Sequence, residues 1–362
     1  MKKLVFRIFI LIFPLLIVQL LVFYLLLKTG ELTKVETVLE RNFKIYGLAY
    51  SDVQQEFQYK KLKNLNETNK KIDILVIGGS RTLQFRDLMF NQPFYNAGVI
   101  MFNFRDLEFL TEAILALKPK IIIIGCEQYF FNKNFSMFDT LSEYNSSSKF
   151  NYKAILTNFV ADYFKQKFTL NEIKDSNNEF IGLSAIVKKS GFRPDGSHNY
   201  EETEKQYGLP GELFKDISGR IDSKVARYER VQEISTLAVE RLRTFLHKCH
   251  KNNITVVGFL PSWPKAIIEK LKKDGNYNPY FLELPEILNK EFLSLDNNYF
   301  YNFTDIEKYG ATDYEFYDGH HASEKIYARM LKYMYLNPKL KEYLNIKNIN
   351  SIINSKHRFG LN

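Results

Sequence analysis

Two strand-length apolar runs constrain this chain most. Ile72-Asp73-Ile74-Leu75-Val76-Ile77 leads into Gly78-Gly79-Ser80, and Lys120-Ile121-Ile122-Ile123-Ile124 leads into Gly125. Short, almost continuous apolar runs of this kind suit strands covered on both faces, as in parallel sheets. Phe94-Tyr95-Asn96 reads as a short second strand, Asn103 to Leu117 as a helix, Ile254 to Leu260 and Tyr299 to Phe303 as later strands, and Ala322 to Tyr335 as a closing helix. Strands alternating with helices predict βαβ units in a three-layer α/β/α, doubly wound parallel sheet. The strands ending at Ile124 and beginning at Ile254 lie much farther apart than the dozen or so residues of an ordinary crossover. A large insertion must fill that gap: Phe131 to Arg220, rich in Asn, Ser, Tyr and Phe, is expected to act as a cap or lid, followed by a helix from about Ser223 to His250.

The N-terminus sets the compartment. Ile8 to Leu27 are twenty uncharged, mostly apolar residues. At about 1.5 Å per residue they cross the roughly 30 Å hydrocarbon core of a bilayer. Pro14 is tolerated in such a helix. Leu25-Leu26-Leu27-Lys28-Thr29-Gly30 offers no small-x-small cleavage site, so the run reads as a retained anchor rather than a signal peptide. Lys2, Lys3 and Arg7 before it predict a cytoplasmic N-terminus, with everything after Lys28 outside. The expected order is a transmembrane anchor over 1–28, a membrane-proximal stalk over 29–71, an α/β domain over 72–345 with its insertion at about 131–220, and a tail over 346–362.

With 45% hydrophobic and 25% charged residues in 362, a disordered or collagen-like chain is excluded. Cys126 and Cys249 are too few for a disulfide framework. Setting aside Lys2, Lys3 and Arg7 leaves 47 basic against 41 acidic residues, a formal +6 for the external part. That excess suits an anionic membrane surface or cell-wall polymer, or is simply a solvated Lys-rich surface. Nucleic acid is a poor partner for an external chain.

Ligands of an open parallel sheet bind beyond the carboxyl ends of its strands. The strand ends carry Gly78-Gly79-Ser80-Arg81, Asn96-Ala97-Gly98, Gly125-Cys126-Glu127-Gln128 and Pro261-Ser262-Trp263, and Tyr317-Asp318-Gly319-His320-His321-Ala322-Ser323 follows the last strand. A serine on a tight turn between strand and helix exposes its hydroxyl. A histidine takes its proton, and an aspartate three residues earlier holds the imidazole. The candidates are Ser80, Asp318 and His321, with His321 preferred to His320 by the Asp-x-x-His register.

This order and spacing resemble the SGNH (GDSL-like) hydrolase superfamily. Asp318-Gly319-His320-His321-Ala322-Ser323-Glu324-Lys325-Ile326-Tyr327 is similar to its D-G-x-H-P-S-x-x-G-Y run, with Ala322 and Ile326 replacing Pro and Gly. Ile77-Gly78-Gly79-Ser80 is a G-x-S form of the first block, with Gly79 where the family often has Asp. Asn96-Ala97-Gly98 resembles the second block, which implies a Gly98 N–H in the oxyanion hole with Asn96 beside it. The family's Gly-x-Asn-Asp appears here as Gly125-Cys126-Glu127-Gln128, so Gln128 stands in for the oxyanion asparagine. The likeness covers about 72–130 and 254–335. Among family members, the anchor and the degenerate third block resemble the extracytoplasmic proteins of alginate O-acetylation and teichoic acid D-alanylation. That implies acyl transfer through Ser80 to an envelope polysaccharide, beside a multispanning membrane O-acyltransferase partner. The rival readings are a carbohydrate or lipid esterase and a non-catalytic glycan-binding or relay subunit. No metal or organic cofactor is required.

Other residues carry two readings each. Arg81 either orients an anionic substrate or pairs with a local carboxylate. Trp263 is a sugar-stacking platform or a packed aromatic. Arg193-Pro194-Asp195-Gly196-Ser197-His198 is a surface turn or a substrate loop. His247, Cys249 and His250 cluster at a helix end, where histidine is favoured without any metal. Asn-x-Ser/Thr matches at Asn66, Asn134, Asn145 and Asn302 are short enough to arise by chance.

Overall fold

The computed structural model of the chain describes residues 2–141, 150–174, 178–200 and 210–360. Asn145 and parts of the 131–220 insertion lie outside the described residues. The chain divides into two units, one of residues 1–56, 145–194 and 199–201, the other of residues 57–144, 195–198 and 202–362.

The larger unit is a mixed α/β structure built on five strands: β1 (Ile74–Gly78), β2 (Phe94–Gly98), β3 (Ile121–Gly125), β4 (Thr255–Leu260) and β5 (Tyr299–Asn302). All pairings are parallel, in the order β2-β1-β3-β4-β5. The apolar runs alternate between two cores. Ile74, Val76, Ile121, Ile123, Val257 and Phe259 enter one cluster, whereas Leu75, Ile77, Ile122, Ile124, Val256 and Leu260 enter the other. Four helices cover the second face: α2 (Gln54–Glu67), α3 (Asp106–Ala116), α5 (Thr236–Lys251) and α7 (Leu284–Leu293). The first face is covered by α6 (Lys265–Asp274), α8 (Glu324–Met334) and α9 (Ile346–Asn354). Gly258 permits the closest of these approaches, since a Cβ there would lie 2.1 Å from Phe292 Cζ on α7.

Several expected boundaries move. The helix expected over 223–250 begins only at Thr236, capped by the Ser235 side chain; before it the chain makes a separate helix, Lys215–Ser223, that ends at Lys224 in the left-handed region. The expected tail is α9, whose Ile349 and Ile352 are buried in the core. The polar stretch placed in a stalk contains α2, with Leu62 and Leu65 buried under the sheet.

The smaller unit combines α1 (Lys2–Thr29), the rest of the expected stalk and part of the insertion, including α4 (Tyr152–Phe164). Ile45–Tyr46 pairs parallel to Phe180–Ile181 and antiparallel to Ser190–Phe192. Within α1, Ile12–Thr29 is long and apolar enough to cross a membrane. Just after it, fully buried Glu31 accepts the N–H groups of Ala49 at 2.7 Å, Tyr50 at 2.8 Å and Leu183 at 2.9 Å.

Burial pushes the Glu31 carboxyl up from 4.5 to about 7, in spite of these three donors. The folded state then binds the proton more tightly than the unfolded chain, so linkage makes this unit less stable as pH rises from about 4.5 through 7. Amide exchange at Leu183, corrected for intrinsic rate, is expected to show less protection at pH 8 than at pH 5, and Glu31→Gln to flatten that slope. A flat wild-type profile would refute the assignment.

Candidate active site

The site is built on the turn after β1. In this strand order β1 lies between β2 and β3, so the connections leaving β1 and β3 diverge at the carboxyl edge, the place where open parallel sheets bind ligands. Ser80–Thr82 form a 3-10 turn across that edge. Three glycines let it lie so close: a Cβ at Gly78, Gly98 or Gly125 would come within 2.7, 2.6 or 2.5 Å of the Thr82 side chain. The glycines ending β1, β2 and β3 thus form one bed for the serine turn.

Asp318 and His321 come from a loop closed by an antiparallel bridge between Phe316 and Ala322 and by the Tyr317 N–H donating to His321 O at 2.9 Å. Asp318 Oδ1 accepts the backbone N–H groups of His320 and His321, both at 2.6 Å. Its Oδ2 lies 2.8 Å from His321 Nδ1, and His321 Nε2 lies 2.9 Å from Ser80 Oγ. Both links fall within the hydrogen-bond reach required of a nucleophile, its base and the group that orients the base. Burial alone would raise the Asp318 carboxyl, but the His321 ring and the two backbone donors outweigh it and hold it down at about 2. Asp318 therefore stays ionised through any ordinary working pH. Two further bonds fasten the histidine block to the serine turn: Tyr327 on α8 donates its hydroxyl to Arg81 O, and Arg86 Nη1 meets Glu324 Oε1 at 2.6 Å.

The other expected site residues sit differently. Asn96 is fully buried; its Nδ2 donates to Thr82 O and Phe85 O at 2.8 and 2.9 Å, and its Oδ1 accepts the Gly98 N–H at 2.8 Å. Asn96 therefore ties down the serine turn, and the Gly98 N–H expected in the oxyanion hole is already engaged. Gln128, also buried, accepts from Arg81 Nη1 at 3.1 Å and donates through Nε2 to Pro261 O at 3.4 Å. Its amide is turned inward, away from the role of an oxyanion donor. Arg81 is a buried tie. Its Nη1 lies 3.2 Å from Glu127 Oε2, its Nη2 donates to Ser262 O, and its guanidinium stacks 4.4 Å from the Trp263 ring centre. Trp263 is buried among Tyr228, Phe281 and His320, so it presents no sugar-stacking face.

The Asp195–His198 part of the turn-rich stretch folds inward as well. Asp195 O accepts the Asn96 N–H at 2.8 Å, and Gly196 O accepts from Gln58 Nε2 at 2.8 Å. Cys249 is a buried core residue of α5.

Sequence reasoning missed Glu127, Arg227 and Tyr228. Glu127 is fully buried, its Oε1 has no hydrogen-bond partner among the described residues, and burial raises its carboxyl against the pull of Arg81, by charge and by backbone N–H, and of Arg227. Arg227 hydrogen-bonds His320 Nε2 and lies over the Tyr129 ring at 5.1 Å, while the Tyr228 hydroxyl is 3.4 Å from His320 Nδ1. The only local signal for Glu127 was its place at the end of β3. Arg227 and Tyr228 lie in the stretch expected to begin the 223–250 helix, where no motif marks them.

No family model matches the chain, and no curated protein matches it. A solved structure described as "a putative platelet activating factor from Streptococcus pneumonia" is similar over 80% of this chain and 92% of its own, at 13% identity and a TM-score of 0.33. A likeness that remote carries no argument about the site.

The contacts of Arg81 predict a structural role. Removing one member of a buried ion pair costs about 3–5 kcal/mol. Arg81→Met is therefore expected to lower stability by that order in denaturant unfolding, and adding Glu127→Leu to recover much of the loss. If Arg81→Met leaves stability intact and weakens only substrate binding, Arg81 is a substrate contact instead.

Proposed function

We propose that this chain is a membrane-anchored, extracytoplasmic acyltransferase or esterase of the SGNH-like type, acting through an acyl-serine on an envelope or exported polysaccharide. The observation that carries the reading is the hydrogen-bonded chain Ser80–His321–Asp318, brought together from the two ends of the α/β unit. In this reading the 2-1-3-4-5 strand order is the three-layer, doubly wound sheet of that superfamily, and the apolar helix holds the site outside the cell.

Ser80 Oγ attacks the acyl carbonyl as its proton passes to His321 Nε2. Asp318 steadies the imidazolium at Nδ1, and His321 returns the proton to the leaving group as the acyl-oxygen bond breaks. A sugar hydroxyl then gives its proton to His321 as its oxygen bonds the acyl carbon, and His321 passes that proton to Ser80 Oγ as the acyl-serine bond breaks; water takes the place of the sugar in the esterase reading. The Ser80 N–H opens the 3-10 turn without a protein acceptor among the described residues, and is one donor for the oxyanion.

The engagement of Gly98, Asn96 and Gln128 within the protein leaves few donors for the oxyanion, so acylation and deacylation by the free chain are both expected to be slow. One missing oxyanion donor costs about 3–4 kcal/mol of transition-state stabilisation. A multispanning O-acyltransferase partner that delivers the acyl group would suit such a site.

Single-turnover labelling of the full chain with p-nitrophenyl acetate tests the reading. The adduct is expected at Ser80, to vanish in Ser80→Ala, and to form about 10²–10⁴-fold more slowly in His321→Ala. Added glycan acceptors are expected to speed its decay if transfer is the reaction. No Ser80 adduct, under conditions where an SGNH esterase reacts, would leave the non-catalytic glycan-binding or relay reading.

A further inference from the structure

The membrane-length helix does not leave the protein cleanly. Val22 and Leu26 of α1 are buried in one cluster with Ile155 and Phe159 of α4, with Phe168, Ile173 and Leu183. Thr29 O accepts the Gly182 N–H at 2.7 Å, and Lys28 Nζ donates to Lys174 O at 3.2 Å. Val22 precedes Thr29 by about 10 Å along the helix axis, at about 1.5 Å per residue. On those same turns Phe23, Tyr24 and Leu27 remain 43%, 60% and 55% exposed. The protein therefore packs against one side of α1 at a depth where its other sides are bare and apolar.

A helix with bare Phe, Tyr and Leu at that depth is stable only in an apolar medium, and α4 shares the depth. The outer surface of α4 fits such a place. Phe164 is 77% exposed, Tyr152 and Tyr163 are exposed, and Leu170 continues the patch on the helix Leu170–Lys174. Lys153, Lys165 and Lys167 are exposed around it. Aromatic rings with flanking lysines are the composition of a membrane–water boundary, the rings at headgroup depth and the ammonium groups among anionic headgroups.

We propose that α4 and Leu170 form a lipid-binding collar beside α1, seated in the headgroup boundary of an anionic bilayer. The proposal rests on α1 crossing that bilayer. The collar gives the smaller unit a second attachment, so that it lies against the membrane instead of swinging from a single helix.

Nitroxide labels on the full chain in phosphatidylcholine–phosphatidylglycerol vesicles test this. Cys126 and Cys249 are buried, with thiols pushed up by that burial, so an introduced cysteine is labelled selectively. With Leu20→Cys reporting the span, the Phe164→Cys label is expected to gain oxygen accessibility and lose accessibility to a nickel chelate on reconstitution, to a shallower depth than the Leu20 label. Lys153→Glu with Lys165→Glu is expected to shift the Phe164 label toward water in the anionic vesicles, and little in phosphatidylcholine alone. A Leu20 label in hydrocarbon with a Phe164 label in water overturns the collar while leaving the span standing. A Phe164 label shielded from both reagents overturns it in favour of a protein partner or second copy. A Leu20 label in water overturns span and collar together.

Discussion

The buried guanidinium of Arg81 is the tie on which the rest of the larger unit depends. Its side chain is almost wholly removed from water, and it reaches Glu127 and Gln128 after β3 and Ser262 and Trp263 after β4. Its own carbonyl accepts the Tyr327 hydroxyl from α8. One residue thus joins the ends of three strands and the helix that follows the histidine loop. A buried charge of this kind is tolerated only when paired and hydrogen-bonded, and here its five-donor fork is spread over a carboxylate, an amide and a carbonyl. Because Ser80 is the preceding residue, the same tie fixes the serine that faces His321.

Glu127 also bears on the glycine before the serine. A Cβ at Gly79 would lie 3.0 Å from Glu127 Oε1 and 3.4 Å from the Tyr129 hydroxyl. An aspartate there would set a second carboxylate against a buried one. Glu127 at the end of β3 and glycine before the serine are therefore mutually consistent choices. Gln128 is drawn into the Arg81 network and Asn96 into the floor of the serine turn.

What was legible in the sequence was whatever short-range chemistry fixes. The apolar runs of β1, β3 and β4 announce strands because they are too short for a buried helix and end at glycine or proline, and Asp318 and His321 announce each other because three residues set their spacing. The roles of Asn96, Gln128, Arg81 and Trp263 were not legible, since a polar residue at a strand end serves a ligand or the protein according to partners far along the chain. Gln128 meets Pro261, and Arg81 meets Ser262. The smaller unit was hidden for the same reason. Ile45–Tyr46 is too short to show a period, and it becomes a strand only by pairing with Phe180–Ile181 and Phe192. The tail carried a usable signal, Ile346, Ile349, Ile352 and Ile353 at helical spacing, and the structure buries that face.

The adjacent histidines show how burial divides two identical side chains. His320 is 1% exposed, enclosed by Trp263 and Tyr228 and hydrogen-bonded to Arg227. Burial first, then the charges of Arg227 and Arg81, hold it well below the ordinary histidine range, so it stays neutral and accepts from Arg227. His321, one residue on, keeps 24% of its side chain exposed and faces a serine on one nitrogen and a carboxylate on the other. Only the second ring links a serine hydroxyl to a carboxylate. The first props the loop, giving Asp318 only its backbone N–H while the ring of its neighbour meets the other carboxylate oxygen.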